Sequence, residues 1–258
     1  MTLAKHIKAE DLNSQSTITP HEASKATPSA TTSMNNAIQA VINDNTNIDM
    51  SVSLIDLGNG QSAHFGDSSP FTAASVEKVL TAAYFLHQVE NGQESLNESI
   101  GGNSAQYELQ QMIVVSDDTA WEALNNELGY NNLANYAASI GWNDYGATAN
   151  TLSTNDMALL LAKLWGGTLL NKSDTGLLLK FMKAANYRDY MVPAVPAGDT
   201  IYHKVGLYDD DVNEATVITN GHQSFAIVIF TDGNGTYDWT TRAKLMQDIT
   251  RAAIKVYL

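Results

Sequence analysis

A serine and a lysine three residues apart open the chemistry of this chain. They are Ser75 and Lys78, within Phe71-Thr-Ala-Ala-Ser-Val-Glu-Lys-Val-Leu-Thr-Ala-Ala-Tyr-Phe-Leu86. The stretch reads as a buried helix, and residues at that spacing share one helical face, one turn apart. A lysine held there reaches a serine hydroxyl. Desolvation among apolar neighbours lowers its pKa, so part of it is free to accept a proton. That combination makes an activated serine nucleophile. Taken alone, Ser-x-x-Lys also describes any helix start with an ordinary lysine, so the pair needs partners. Two later segments offer them: Ser116-Asp117-Asp118 and Lys204-Val205-Gly206. Read singly, the first is a good helix N-cap, and the second is an edge-strand lysine of the kind that blocks sheet-to-sheet association.

The elements that must position these residues follow from the apolar periodicity. Ala37, Ile38, Val41 and Ile42 form a short helical stripe. Met50, Val52 and Leu54 alternate with serines as in a strand, and Gly58-Asn-Gly60 turns the chain back toward Phe65. From about residue 92 to 195 helical stripes dominate, separated by glycines and asparagines. Strand patterns then resume from Ile201, with Phe225–Phe230 continuously apolar like a central strand covered on both faces. A helix with Leu245, Met246, Ile249 and Ala253 on one stripe closes the chain. The expected architecture is α+β: an antiparallel sheet flanked by N- and C-terminal helices (residues 34–91 plus 196–258), with an inserted all-helical lobe (92–195). Residues 1–33, rich in Ser, Thr and Pro, read as a disordered tail or linker.

In this order and context the three segments resemble the penicillin-binding protein and class A β-lactamase family, whose motif set is Ser-x-x-Lys, Ser-Asp-Asn and Lys-Thr-Gly. Ser116-Asp-Asp-Thr-Ala120 and Leu152-Ser-Thr-Asn-Asp-Met-Ala-Leu159 extend the resemblance, which covers residues from roughly 37 to 258. It implies an acyl-enzyme route. Ser75 attacks a carbonyl and Lys78 accepts its proton. Ser116 relays a proton to the leaving nitrogen, and Lys204 supports Ser116 and attracts a substrate carboxylate. The backbone N–H groups of Ser75 and Leu207 hold the oxyanion, and Asp118, Val205 and Gly206 line the substrate.

Three departures narrow the expectation. Asp118 stands where the family usually has Asn, and a carboxylate accepts where an amide donates; it is placed to pair with Lys78 and hold it charged. Val205 replaces a threonine and its hydroxyl. The loop Gly141–Thr151 holds no glutamate, the group that in class A β-lactamases activates the deacylating water; its one acid is Asp144. The expectation is therefore a serine hydrolase acylated at Ser75 by amides or β-lactams, with slow β-lactam turnover. A true β-lactamase and a catalytically weak cell-envelope binding module are the alternatives.

Composition bounds the partners. The chain has 258 residues, 44% hydrophobic, and a net charge of −14 with no Lys/Arg cluster. This argues against nucleic acid or an anionic membrane surface as partner. There are no cysteines, and the six histidines lack metal-ligand spacing, so no metal or cofactor is implied. The expected partner is a small-molecule or peptide amide, such as a peptidoglycan peptide or β-lactam, met by a monomer. The expected location is extracytoplasmic, secreted or surface-tethered, with the signal or anchor absent from this chain. His203 should point to the strand face opposite Lys204, and Asp209–Asp211 reads as a solvated turn. Trp121 reads as core, with Tyr107 and Trp142 as further aromatics near the lobe.

Overall fold

The computed structural model describes residues 27–258. Its first helix, α1 (Pro28–Asn43), starts earlier than expected. Thr27 Oγ1 accepts from the Ala30 N–H at 3.2 Å, and Pro28 occupies the first helical position, where its missing N–H costs nothing. Residues 28–33 are thus helical, which corrects the tail boundary; residues 1–26 of the expected tail lie outside the described residues. Met34 and Ile38 bury the inner face of α1.

Five strands form one antiparallel sheet. They are β1 (Asp49–Asp56), β2 (Ser62–Gly66), β7 (Thr200–Tyr208), β8 (Asp211–Thr219) and β9 (Ser224–Asp232), in the order β2-β1-β9-β8-β7. The uniformly apolar β9 is central, as its composition requires, and β7, which carries Lys204, is an edge. On one face α1 and the C-terminal helix α8 (Trp239–Tyr257) enclose Val52, Leu54, Phe225, Ile227 and Ile229, with Met246 of α8 packed among them. Side chains of the other face, among them Ala215, Val217, Val228 and Phe230, join the core of the middle segment.

That middle segment holds α2 (Lys78–Glu90), α3 (Ala105–Gln110), α4 (Asp118–Leu128), α5 (Tyr130–Ser139), α6 (Thr154–Trp165) and α7 (Lys172–Lys183). It is not wholly helical, correcting the expectation for 92–195. β4 (Ser99–Ile100) pairs with β5 (Asn103–Ser104), and β6 (Thr151–Leu152) pairs with β3 (Phe71–Thr72). α6 packs on β1 and β9, so one core runs from sheet to helices without a boundary at residue 195. The β3–β6 pair brings the chain just before Ser75 beside the end of the Gly141–Thr151 loop.

Candidate active site

Ser75 does not lie on the long helix. Residues Ala74–Glu77 form a 3-10 turn, and α2 begins at Lys78. With three residues per turn, Ser75 and Lys78 still share a face, whereas Glu77 points about 120° away. Ala74, immediately before the serine, has φ +49°. Such a conformation costs a non-glycine residue about 1–3 kcal/mol and persists only where surrounding structure imposes it. Here the imposing contacts are the Ala73 N–H on Asn150 O (2.8 Å) and Asn150 Nδ2 on Ala74 O (3.1 Å).

Lys78 is fully buried. Its ammonium donates to Ser116 O at 2.8 Å, to Asp118 Oδ1 at 2.5 Å and, more weakly, to Ser116 Oγ at 3.4 Å. It also lies 5.2 Å from the centre of the Trp121 ring, a cation–π distance. Burial pushes its pKa down, and the hydrogen bond and charge of Asp118 pull it back up. The Asp118 side chain is 83% exposed, so half of this pair is in water.

Ser116 is reached by a π-helical turn, Gln111–Val115, that ends with Ser116 itself at φ +62° in the left-handed region. The helix cap is not Ser116 but Asp117, whose carboxylate accepts from Thr119 and Ala120 N–H. The Ser116 hydroxyl is left free to face Lys204, whose ammonium donates to it at 2.8 Å and to Val205 O at 2.7 Å. Lys204 is 1% exposed, so it is no solvated gatekeeper on its edge strand. Burial, followed by the charge of Lys78, lowers its pKa to about 7. One hydroxyl thus bridges two buried amines, which favours a single proton shared across them over two full charges.

Gly206 sits against the Ser75 turn so closely that a Cβ there would lie 2.6 Å from Ala73 O and 3.0 Å from Ser75 N. This is the physical reason for glycine in the third segment, and it sets Leu207 next along the same edge. Val205 is buried, so its side chain meets the core rather than the open site. Asn213 of β8 ties the sheet to the chain before Ser75, donating to Thr72 O at 2.7 Å.

His203 turns to the opposite face, where Nδ1 and Glu214 Oε1 are 2.8 Å apart. Asp211 is buried, unlike the solvated turn expected, and its pKa is raised to about 6 by burial and by Asp232 and Asp210. The buried Arg242 donates to Asp210 O and Thr231 Oγ1 beside it. Trp121 donates to Thr81 Oγ1 (3.1 Å), Trp142 is buried edge-on to Tyr145, and Tyr107 is exposed.

One group escaped the sequence reading. Glu77, between Val76 and Lys78, is 2% exposed. Tyr145 Oη donates to its Oε1 at 2.6 Å, and Thr81 Oγ1 donates to Oε2 at 3.3 Å. Burial raises its pKa to about 7 against the pull of those donors, Trp121 and Lys78. An acid wedged between apolar residues beside a candidate lysine was the available signal.

A serine–lysine pair, a second serine between two buried amines, and an antiparallel sheet with a helical insertion define an active-site serine hydrolase of the acyl-transfer kind. The chain matches the profile of the beta-lactamase enzyme family over residues 33–257, and it belongs to that family. Solved structures share the fold. Penicillin-binding protein PBP-A, as a point mutant in an acyl-enzyme complex with penicillin G, aligns with TM-score 0.78 at 22% identity, covering 86% of this chain and 95% of that one. A β-lactamase from Xanthomonas campestris aligns with TM-score 0.78 at 19% identity over 85% and 96% of the two chains. The ancestral class A β-lactamase of Gram-negative bacteria gives TM-score 0.78 at 19% identity over 86% and 98%. No curated protein matches the chain.

Proposed function

We propose that the protein is acylated at Ser75 by an amide or β-lactam carbonyl and releases the acyl group slowly when the substrate is a β-lactam. The single observation that carries this reading is the Ser116 hydroxyl held between Lys204 (2.8 Å) and Lys78 (3.4 Å). Ser75 Oγ bonds to the carbonyl carbon and gives its proton to Lys78. The C–N bond then breaks, and the nitrogen takes a proton through Ser116, which is replenished from the lysine pair. The backbone N–H groups of Ser75 and Leu207 stabilise the oxyanion, each such donor being worth about 2.7–4 kcal/mol. Asp118 and Gly206 line the substrate, whereas the expected Val205 turns its side chain into the core. Water finally hydrolyses the ester.

Slow release follows from the loop. Asp144 is exposed, and its N–H is spent on Asp156 Oδ2 at 3.1 Å. Glu77, a buried acid two residues from Ser75, lies off the Ser75 face of its turn. The substrate is a small-molecule or peptide amide, a peptidoglycan peptide among them, and the setting is extracytoplasmic. Among the described residues no helix is long and apolar enough to cross a membrane. Intact-protein mass spectrometry after incubation with a fluorogenic penicillin, with turnover followed in parallel, tests the proposal. The expected result is a long-lived adduct on Ser75 that Ser75→Ala abolishes. Rapid turnover refutes the slow-release part, and no adduct with several acylating probes refutes the whole.

A further inference from the structure

We infer that Glu77 is a positioning residue: its carboxylate is the buried clasp that seats the Gly141–Thr151 loop under the Ser75 turn, and its charge sets how readily Lys78 gives up its proton. The inference rests on Ser75 and Lys78 being the reacting pair.

The geometry converges on this carboxylate from three elements. Tyr145 reaches it from the loop at 2.6 Å, and Thr81 from α2 at 3.3 Å. Trp121 of α4 donates to the same Thr81 hydroxyl at 3.1 Å, which also meets Asn125 Oδ1 at 2.9 Å. Tyr145 donates to the carboxylate, a bond that is strongest when the acceptor is ionised, while the single Thr81 proton is shared between Glu77 Oε2 and Asn125 Oδ1. Protonation of Glu77 leaves the Tyr145 contact as a weaker, neutral hydrogen bond.

The loop is held elsewhere mainly through its backbone: the Asn143 and Asp144 N–H groups meet the Asp156 carboxylate, Gly146 bridges to Thr151, and Asn150 meets the Ser75 turn. Tyr145, braced edge-on by the buried Trp142, is the loop side chain that reaches Glu77. The charge of the same carboxylate is also felt by Lys78, the next residue, without a direct contact. The other charged groups facing Lys78 are Asp117 and Asp118 at the start of α4 and Lys204 of β7 across Ser116. Those facing Glu77 are Lys78 and Tyr145, itself influenced by Tyr130. Two kinds of carboxylate thus act on Lys78: Asp118 by direct contact in water at the mouth, and the sealed Glu77 by charge alone, with a smaller pull than Asp118 or Asp117. With Glu77 ionised, Lys78 holds its proton more tightly. With Glu77 neutral, Lys78 releases its proton more readily, and the Tyr145 clasp weakens from a charge-assisted hydrogen bond to a neutral one.

Two readouts on the full chain decide it without requiring turnover. The first is hydrogen exchange of residues 141–151 by mass spectrometry from pH 5.5 to 8.5, corrected for intrinsic rates. Loop protection should fall about ten-fold as pH drops through about 7, the range in which Glu77 takes up its proton. Tyr145→Phe, which deletes one hydroxyl, should lower protection at every pH and flatten the dependence. The second is the titration of Lys78 by NMR of carbon-13 lysine-labelled protein. Glu77→Gln should move it to lower pH, by less than Asp118→Asn moves it. The acid limb of the acylation rate should move with it. Loop protection that is flat with pH in the unmodified protein and unchanged by Tyr145→Phe overturns the clasp. An unmoved Lys78 titration in Glu77→Gln overturns the electrostatic role. If Glu77→Gln fails to fold, the unmodified protein and Tyr145→Phe still decide the clasp. Absence of acylation with all probes would refute the hydrolase reading alone, leaving both readouts intact.

Discussion

Replacing Asp118 by asparagine should make Lys78 a better base. The perturbation is small in volume and removes one charge 2.5 Å from the Lys78 ammonium. Because the Asp118 side chain is 83% exposed, the pair is scaled with a water-like dielectric and not with the interior value. Coulomb's law at that separation and dielectric gives about 1.7 kcal/mol, an upper figure before the cost of ordering the side chain. At 1.36 kcal/mol per pKa unit this is about one unit. The sign is fixed by which form the carboxylate favours. Asp118 stabilises the ammonium, so its loss lowers the pKa of Lys78, which burial has already lowered. The fraction of neutral Lys78 at pH 7 then rises up to about ten-fold, and the acylation rate with it. The assay is stopped-flow acylation by a fluorogenic penicillin from pH 5 to 9, in the unmodified protein and in Asp118→Asn. The acid limb should move to lower pH by up to about one unit. The asparagine amide also offers a donor to a substrate carbonyl, which changes the plateau but not the position of the limb. A limb that stays in place, whatever the plateau does, refutes the assignment of Lys78 as the base held back by Asp118.

Further outcomes follow from the same geometry. Gly206→Ala places a methyl 2.6 Å from Ala73 O and 3.0 Å from Ser75 N. It should cost about 1–3 kcal/mol, read as a fall in Tm, together with a loss of acylation as the Ser75 turn shifts. Ser116→Ala removes the oxygen shared by both lysines and should slow acylation by roughly 10²–10⁴-fold, with the Ser75 adduct still detectable at long times. Lys204 has a folded pKa of about 7, below its unfolded value of about 10.4. The unfolded chain binds more protons between those values, so this group makes stability rise with pH across that window, by up to about 1.4 kcal/mol per pH unit. Its penalty is fully present below pH 7. Lys204→Met should therefore unfold at higher denaturant than the parent at pH 7, with the difference closing by about pH 10, while acylation is lost.

What could be read from the chain, and what could not, divides by the range of the interactions involved. Periodicity is local, and it placed β1, β2, β9 and α8 correctly, because each has one apolar face or, for β9, two. Composition misled where two local signals competed. The Ser/Thr/Pro content before Met34 reads as linker, yet Thr27 and Pro28 are also a cap and a first helical residue, and the burial of Met34 and Ile38 against the sheet decides in favour of helix. The three site segments were legible as residue types. Their conformations were not, since φ +49° at Ala74 and φ +62° at Ser116 are imposed by contacts with residues distant in sequence. The pairing of Lys78 with Asp118 was legible because it needs only charge and motif order. Glu77 was missed for the opposite reason. Its significance lies in Tyr145, 68 positions away; the apolar run around it hints at burial, but nothing local shows what satisfies the acid. A carboxylate in an apolar run beside a reactive lysine is costly unless long-range donors satisfy it. Local sequence and distant structure conflict most at this residue, and such conflicts collect at functional sites. Glu77 differs in this from Asp156, also buried, whose carboxylate accepts from the Asn143 and Asp144 N–H groups and from Ser153 at its helix cap. Asp156 holds backbone in place, whereas Glu77 meets a loop side chain and lies next in sequence to a second titrating group.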